Sequence, residues 1–102
     1  MPDTGLSASD IQHIKHALSQ YPDVQEVILF GSRAKGCYKK GSDIDLAIRF
    51  SHPEHSSIQL IHDALEEDTP LPYFFDVIDI ETIQNPDLRK HIERVGLTLN
   101  DL

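Results

Sequence analysis

Apolar residues recur along this chain with two different periods, and the changes of period mark the elements. Ile11, Ile14 and Leu18 fall at i, i+3 and i+7, the spacing of one helix face. Ser7 and Asp10 stand ahead of them at capping-box spacing, which predicts the helix start. Tyr21-Pro22-Asp23 ends it, because the residue before proline is pushed out of helical backbone. Val24 to Phe30 is β-branched and apolar and predicts a mostly buried strand. Gly31 to Gly41 carries glycine and lysine, with Arg33-Ala34-Lys35 suited to a short helical turn. Asp43 to Phe50 then alternates strictly. Ile44, Leu46, Ile48 and Phe50 share one face, and Asp43, Asp45, Ala47 and Arg49 share the other. Ser56 to Asp68 returns to helical spacing through Ile58, Ile61 and Leu65, and Thr69-Pro70-Leu71-Pro72 breaks it. Tyr73 to Ile80 is an aromatic and β-branched strand. Asn85, Pro86 and Asp87 open a last helix whose apolar stripe is Leu88, Ile92 and Val95, with Gly96 as its stop. The order α-β-(loop)-β-α-β-α predicts a small α/β sandwich around a short sheet.

Composition narrows what such a fold can do. At 102 residues the chain is expected to form one domain, 1–102. Seventeen acidic residues against nine Lys and Arg give a net charge of −8. That balance argues against a long nucleic acid or an anionic membrane as partner, since both are held by Lys and Arg. No apolar run approaches the ~18 residues of a membrane span, and no secretory signal opens the chain, so a cytoplasmic location is expected. Cys37 is the only cysteine, which excludes a disulfide framework, and it carries no inferred role.

The charge is unevenly placed. Arg33, Lys35, Lys39 and Lys40, four of the nine cations, lie within eight residues, and Asp43 and Asp45 follow directly. Gly31-Ser32 comes straight after a buried strand, at the carboxyl end where α/β sheets bind ligands. Glycine lets backbone approach a phosphate, and Ser32 offers a hydroxyl and an N–H. The spacing Gly31-x4-Gly36 is that of a P-loop, but Cys37-Tyr38 stands where Lys and Ser/Thr are required. Asp43 and Asp45, two apart on a strand, share a face with Cα atoms ~6.6 Å apart. Two carboxylates about 4 Å apart repel by roughly 4 kcal/mol at an effective dielectric of ~20, and a divalent cation removes that repulsion. By themselves the pair read first as a turn residue, Asp43, and a solvent-facing one, Asp45, on an edge strand. His13/His16 and His52/His55 have no third ligand at suitable spacing and are expected at the surface. Tyr73, Phe74 and Phe75 are expected in the core rather than as a stacking platform, Glu66-Glu67-Asp68 as a solvated helix end, and Arg49 either near the aspartates or as a sheet-surface residue.

Gly-Ser, ten residues, then Asp-x-Asp is more specific than either half, at about one chance match per thousand sequences. With Gly31-Ser32-Arg33-Ala34-Lys35-Gly36 and Gly41-Ser42-Asp43-Ile44-Asp45-Leu46 it resembles the signature of the minimal nucleotidyltransferases, within the DNA polymerase β-type nucleotidyltransferase superfamily. Leu71 to Asp76, Asn85 to Leu88 and Ile92 to Gly96 extend the resemblance over nearly the whole chain from Ile11. It implies a palm-like fold, a short mixed sheet of about three to four strands with helices on one face. It implies a third carboxylate, Asp76 in preference to Asp79, joining Asp43 and Asp45 as catalytic and metal-binding residues. It implies two Mg²⁺ ions and ATP as substrate, with Gly31, Ser32, Arg33 and Lys35 binding the nucleotide. In this family small nucleotidyltransferases pair with a HEPN-family ribonuclease toxin and adenylylate a tyrosine on it. The resemblance therefore implies an antitoxin, as a homodimer or in a hetero-oligomer with the toxin. A catalytically weak module that masks the toxin, or an antibiotic-modifying enzyme, are the alternatives.

Overall fold

The computed structural model describes residues 3–52, 54 and 57–102. In chain order the elements are α1 (Ala8–Leu18), β1 (Val24–Phe30), α2 (Gly31–Lys35), β2 (Ile44–Phe50), α3 (Ile58–Glu67), β3 (Phe75–Asp79), a 3₁₀ turn (Ile80–Thr82), α4 (Pro86–Val95), β4 (Leu97–Thr98) and a closing 3₁₀ turn (Leu99–Asp101). The helix starts follow from their caps. Ser7 Oγ accepts the Asp10 N–H and Asp10 Oδ2 accepts the Ser7 N–H, both at 3.0 Å. Asn85 Oδ1 accepts the Asp87 N–H at 2.9 Å, with Pro86 opening α4.

The four strands form one mixed sheet in the order β3-β2-β1-β4. β1 runs antiparallel to β2 and β4, and β2 runs parallel to β3 across the α3 crossover. β2 is the spine, with Ile44, Leu46 and Ile48 fully buried. They meet Ile11, Ile14 and Leu18 of α1 and Ile61 and Leu65 of α3 in the main core, the face that the alternation predicts.

Helices cover both faces, where one was expected. α1 and α3 take the larger side. On the other, α4 brings Ile92 into a second cluster with Phe30, Ala47 and Ile80. The polar face of β2 is polar only near its ends, at Asp45 and Arg49. Ala47 between them is fully buried, and its small side chain leaves room for α4. Gly96 ends α4 in extended backbone, φ −60°, so its role is contact rather than turn geometry. A side chain there would overlap the Ile92 carbonyl oxygen. β4 had no periodic signal, because it is two residues long. β3 is shorter than expected, leaving Tyr73 and Phe74 ahead of it. Ser56, expected to open α3, lies outside the described residues, as does His55. Among the described residues no helix is long and apolar enough to cross a membrane.

Candidate active site

Three strands bring the chemistry to one end of the sheet. Phe30 pairs with Asp45 across β1 and β2, and Asp45 pairs with Asp76 across β2 and β3. Directly paired residues of a parallel ladder share a face, so Asp76 stands beside Asp45. Asp43, two residues before Asp45 and just ahead of β2, is exposed at the same end. Asp79, three residues beyond Asp76, faces the opposite side and is 7% exposed. Its Oδ1 accepts the Glu81 N–H at 2.9 Å and caps the 3₁₀ turn. Of the two sequence candidates for a third carboxylate, the fold places only Asp76 with the pair.

Gly31 follows Phe30 and turns the chain with φ +74°. A Cβ at this position would overlap Asp45 Oδ2, so only glycine admits both the turn and the carboxylate beside it. Ser32 is half-buried in the first turn of α2. The Gly31 N–H donates to His91 Nε2 on α4 at 3.1 Å. No sequence pattern signals this contact, because the two residues are 60 positions apart and share no periodic stripe.

Arg33 does not lie open to a ligand as expected. It is 2% exposed, and its guanidinium donates to the Ser42 carbonyl from Nε (3.1 Å) and Nη2 (2.8 Å) and to the Thr4 carbonyl from Nη1 (2.8 Å). The rings of Tyr38 and Tyr73 lie 5.0 and 4.7 Å from it. Arg33 therefore ties down the loop after α2 and fixes Ser42, the residue before Asp43. Its charge reaches the site only through space. Lys35, Lys39 and Lys40 are exposed.

Arg49 is a sheet-surface residue, paired with Glu26 at 3.3 Å and with Glu81. Glu66 is not merely solvated: its Oε2 accepts the Phe75 N–H at 3.0 Å and anchors the start of β3. Phe75 is buried and Tyr73 half-buried against Arg33, but Phe74 is 73% exposed rather than in the core. His13 and His16 are exposed on α1, as is Cys37 on its loop.

Burial pushes the Asp45 carboxyl up to about 6, reinforced by the charges of Asp76 and Asp43 and opposed by Arg33. Crowded carboxylates with a raised proton affinity are a donor set suited to a hard divalent cation. Among the described residues no three acidic, His or Cys side chains close around a point in space. The three aspartates line an open face instead, which fits Mg²⁺, since that ion takes one or two carboxylates and completes its shell with water and substrate phosphates. A divalent cation held by Asp45 would need that carboxyl ionised, so Mg²⁺ affinity is expected to be flat at higher pH and to fall as pH drops through about 6, where it takes its proton. An ordinary aspartate would hold the metal to about pH 4. Calorimetric titration of the metal-free protein across this range checks it.

The chain matches the family described as Polymerase beta, Nucleotidyltransferase over residues 12–101. It is 32% identical over 99 residues to the "Probable protein adenylyltransferase MntA" of Haemophilus influenzae, covering 94% of this chain and 83% of that one. Its fold is similar to a chain of a toxin–antitoxin crystal structure with AMP-PNP, at a TM-score of 0.71 and 23% identity over 88% of this chain and 72% of the other. It is also similar to a chain of the tri-AMPylated Shewanella oneidensis HEPN toxin in complex with MNT antitoxin, at a TM-score of 0.63 and 21% identity over 87% and 67%. The family match spans most of the chain and the relative is aligned over nearly all of it, so this chain belongs to the polymerase β-type nucleotidyltransferase family.

Proposed function

We propose that this chain is an ATP- and Mg²⁺-dependent protein adenylyltransferase that modifies a tyrosine of a HEPN-family toxin and so acts as its antitoxin in the cytoplasm. The observation that carries the reading is the juxtaposition of Gly31, Asp45 and Asp76 across three adjoining strands. A phosphate-approaching turn and a carboxylate cluster that face each other are what transfer of a nucleotidyl group requires. The relative MntA carries the adenylyltransferase activity in its name, and the similar folds come from toxin–antitoxin complexes, one with AMP-PNP.

In this reading Asp43, Asp45 and Asp76 would hold Mg²⁺, two ions in all, with Asp76 nearest the acceptor. The metal would supply charge neutralisation of the phosphates and a lowered pKa at the acceptor hydroxyl. Gly31 and Ser32 hold the phosphate tail, and the exposed Lys35 adds a positive charge. The Asp76 carboxylate accepts the proton as the tyrosine oxygen bonds to the α-phosphorus and the bond to pyrophosphate breaks. Arg33 acts one step back, by holding the loop that presents Asp43. A net charge of −8 leaves an acidic surface that suits a basic partner protein.

The test is direct. Purified protein, its toxin partner, ATP and Mg²⁺ are expected to add AMP-sized mass to the partner, lost when the acceptor tyrosine becomes Phe. Absence of any mass increase would reject the reading, and transfer of AMP to an antibiotic with no protein present would redirect it.

A further inference from the structure

α2 begins without the help a helix start normally has. Its first amides have no intrahelical acceptor, and the residue ahead of it, Phe30, offers no capping side chain. The acceptor arrives from elsewhere in the chain. His91 on α4 presents Nε2 to the Gly31 N–H at 3.1 Å. The imidazole is half-buried and stands edge-on to Phe30, with ring centroids 6.2 Å apart at 82°. Phe30 itself is buried in the cluster that α4 shares with the sheet, so the ring is held from two sides.

We infer that His91 is a positioning residue for the nucleotide, its Nε2 pinning the Gly31 N–H so that the Gly31-Ser32 turn stays against Asp45. The inference rests on the reading of Gly31-Ser32 as the phosphate turn. Two features make the turn need such a pin. Gly31 adopts φ +74°, and glycine is the residue with the most alternative backbone states to lose. It also packs against Asp45 so closely that no side chain fits between them. A turn free to relax would move away from the carboxylate and spoil the register between phosphate and metal site. The hydrogen bond also fixes the imidazole's chemistry. Nε2 accepts, so the neutral ring carries its proton on Nδ1.

Two measurements without any toxin test this. In the unaltered protein, ¹⁵N–¹H correlation of the His91 ring is expected to show the Nδ1–H tautomer; an Nε2–H ring would overturn the proposal with no variant needed. Binding of a fluorescent ATP analogue with Mg²⁺ is expected to weaken about fivefold to tenfold in His91→Ala, the size of one lost hydrogen bond. His91→Gln, whose Oε1 can accept the same N–H, is expected to return within about twofold of the original affinity. Equal weakening in both variants would mark a merely structural residue and overturn the proposal. So would unchanged binding in His91→Ala, while leaving the nucleotide reading intact. A protein that passes both measurements but transfers no AMP to its partner overturns the proposed function and keeps His91 in its role. A protein that binds no Mg²⁺ and ATP overturns both.

Discussion

Asp43→Asn with Asp45→Asn is expected to abolish AMP transfer while making the metal-free protein more stable. The loss follows from the donor set. In the proposed reading the variant would keep only Asp76 of the three carboxylates that hold the metal, and a fall of at least about a thousandfold in kcat is the scale for removing a principal electrostatic stabiliser. The gain follows from what those carboxylates do to each other when no metal is bound. Asp45 is raised from 3.8 to about 6 by burial and by Asp76 and Asp43. A carboxyl whose native value exceeds its unfolded one binds protons more tightly when folded. Its effect on stability therefore worsens as pH rises from about 4 to about 6 and is fully unfavourable above that. Asparagine removes it. Near pH 8 the variant should melt higher by about 4–8 °C, or about 1 kcal/mol once solvent screening on the open side is allowed for. Near pH 4 the two proteins should converge. Thermal melts at both pH values with chelator present check the stability arm, and mass spectrometry of the partner checks the activity arm. Full neutralisation of the toxin by an inactive double variant would point to steric masking instead.

Asp76 and Asp79 are expected to part company on substitution. Asp76→Asn leaves the fold intact, because this side chain is exposed beside Asp45, and lowers kcat by about a thousandfold. Asp79→Ala does the reverse. It removes an acceptor from the Glu81 N–H at a nearly buried site, and a loss of about 1–2 kcal/mol of stability is the usual cost of a missing cap. Its folded fraction should transfer AMP at close to the normal rate. Steady-state kinetics below the melting range, together with denaturant titrations, separate the two. Loss of kcat in Asp79→Ala with Asp76→Asn active would exchange their roles.

How much of this was legible beforehand depended on the range of the interaction. Helix starts were readable because a capping box and a Pro-opened helix are local, closed within three residues of chain. The faces of β2 were readable because strand alternation is a property of the strand itself. β4 was not, since a two-residue edge pair has no period and exists only because β1 offers it partners. The second helical layer was hidden for a related reason. Ala47 reads as a neutral interruption of a polar face until α4 is seen to fill the space it leaves.

The site divides along the same line. Gly31-Ser32 and Asp43-x-Asp45 stand out in the sequence because each is a short motif with a geometric reason for its spacing. The resemblance preferred Asp76 to Asp79, and the parallel register of β2 and β3 sets Asp76 beside Asp45 and turns Asp79 away. Arg33 shows the opposite case. Its charge belongs to a cationic cluster in the sequence, yet the fold buries it between two tyrosines and commits it to two carbonyl oxygens. Its sequence neighbours could not reveal that Thr4 and Tyr73 would surround it.

Local chemistry, then, determined which residues form the elements, which face of each strand is apolar, and that a glycine turn and an aspartate pair sit in phase with two strands. Tertiary structure alone decided which distant groups complete them, His91 for the Gly31 amide and Glu66 for the start of β3, and it set the register that puts Asp76 beside Asp45. The physical reason is that backbone preference and capping act over a few residues. A hydrogen bond or a carboxylate pair between remote segments is set by strand register and helix docking, which the whole core decides together.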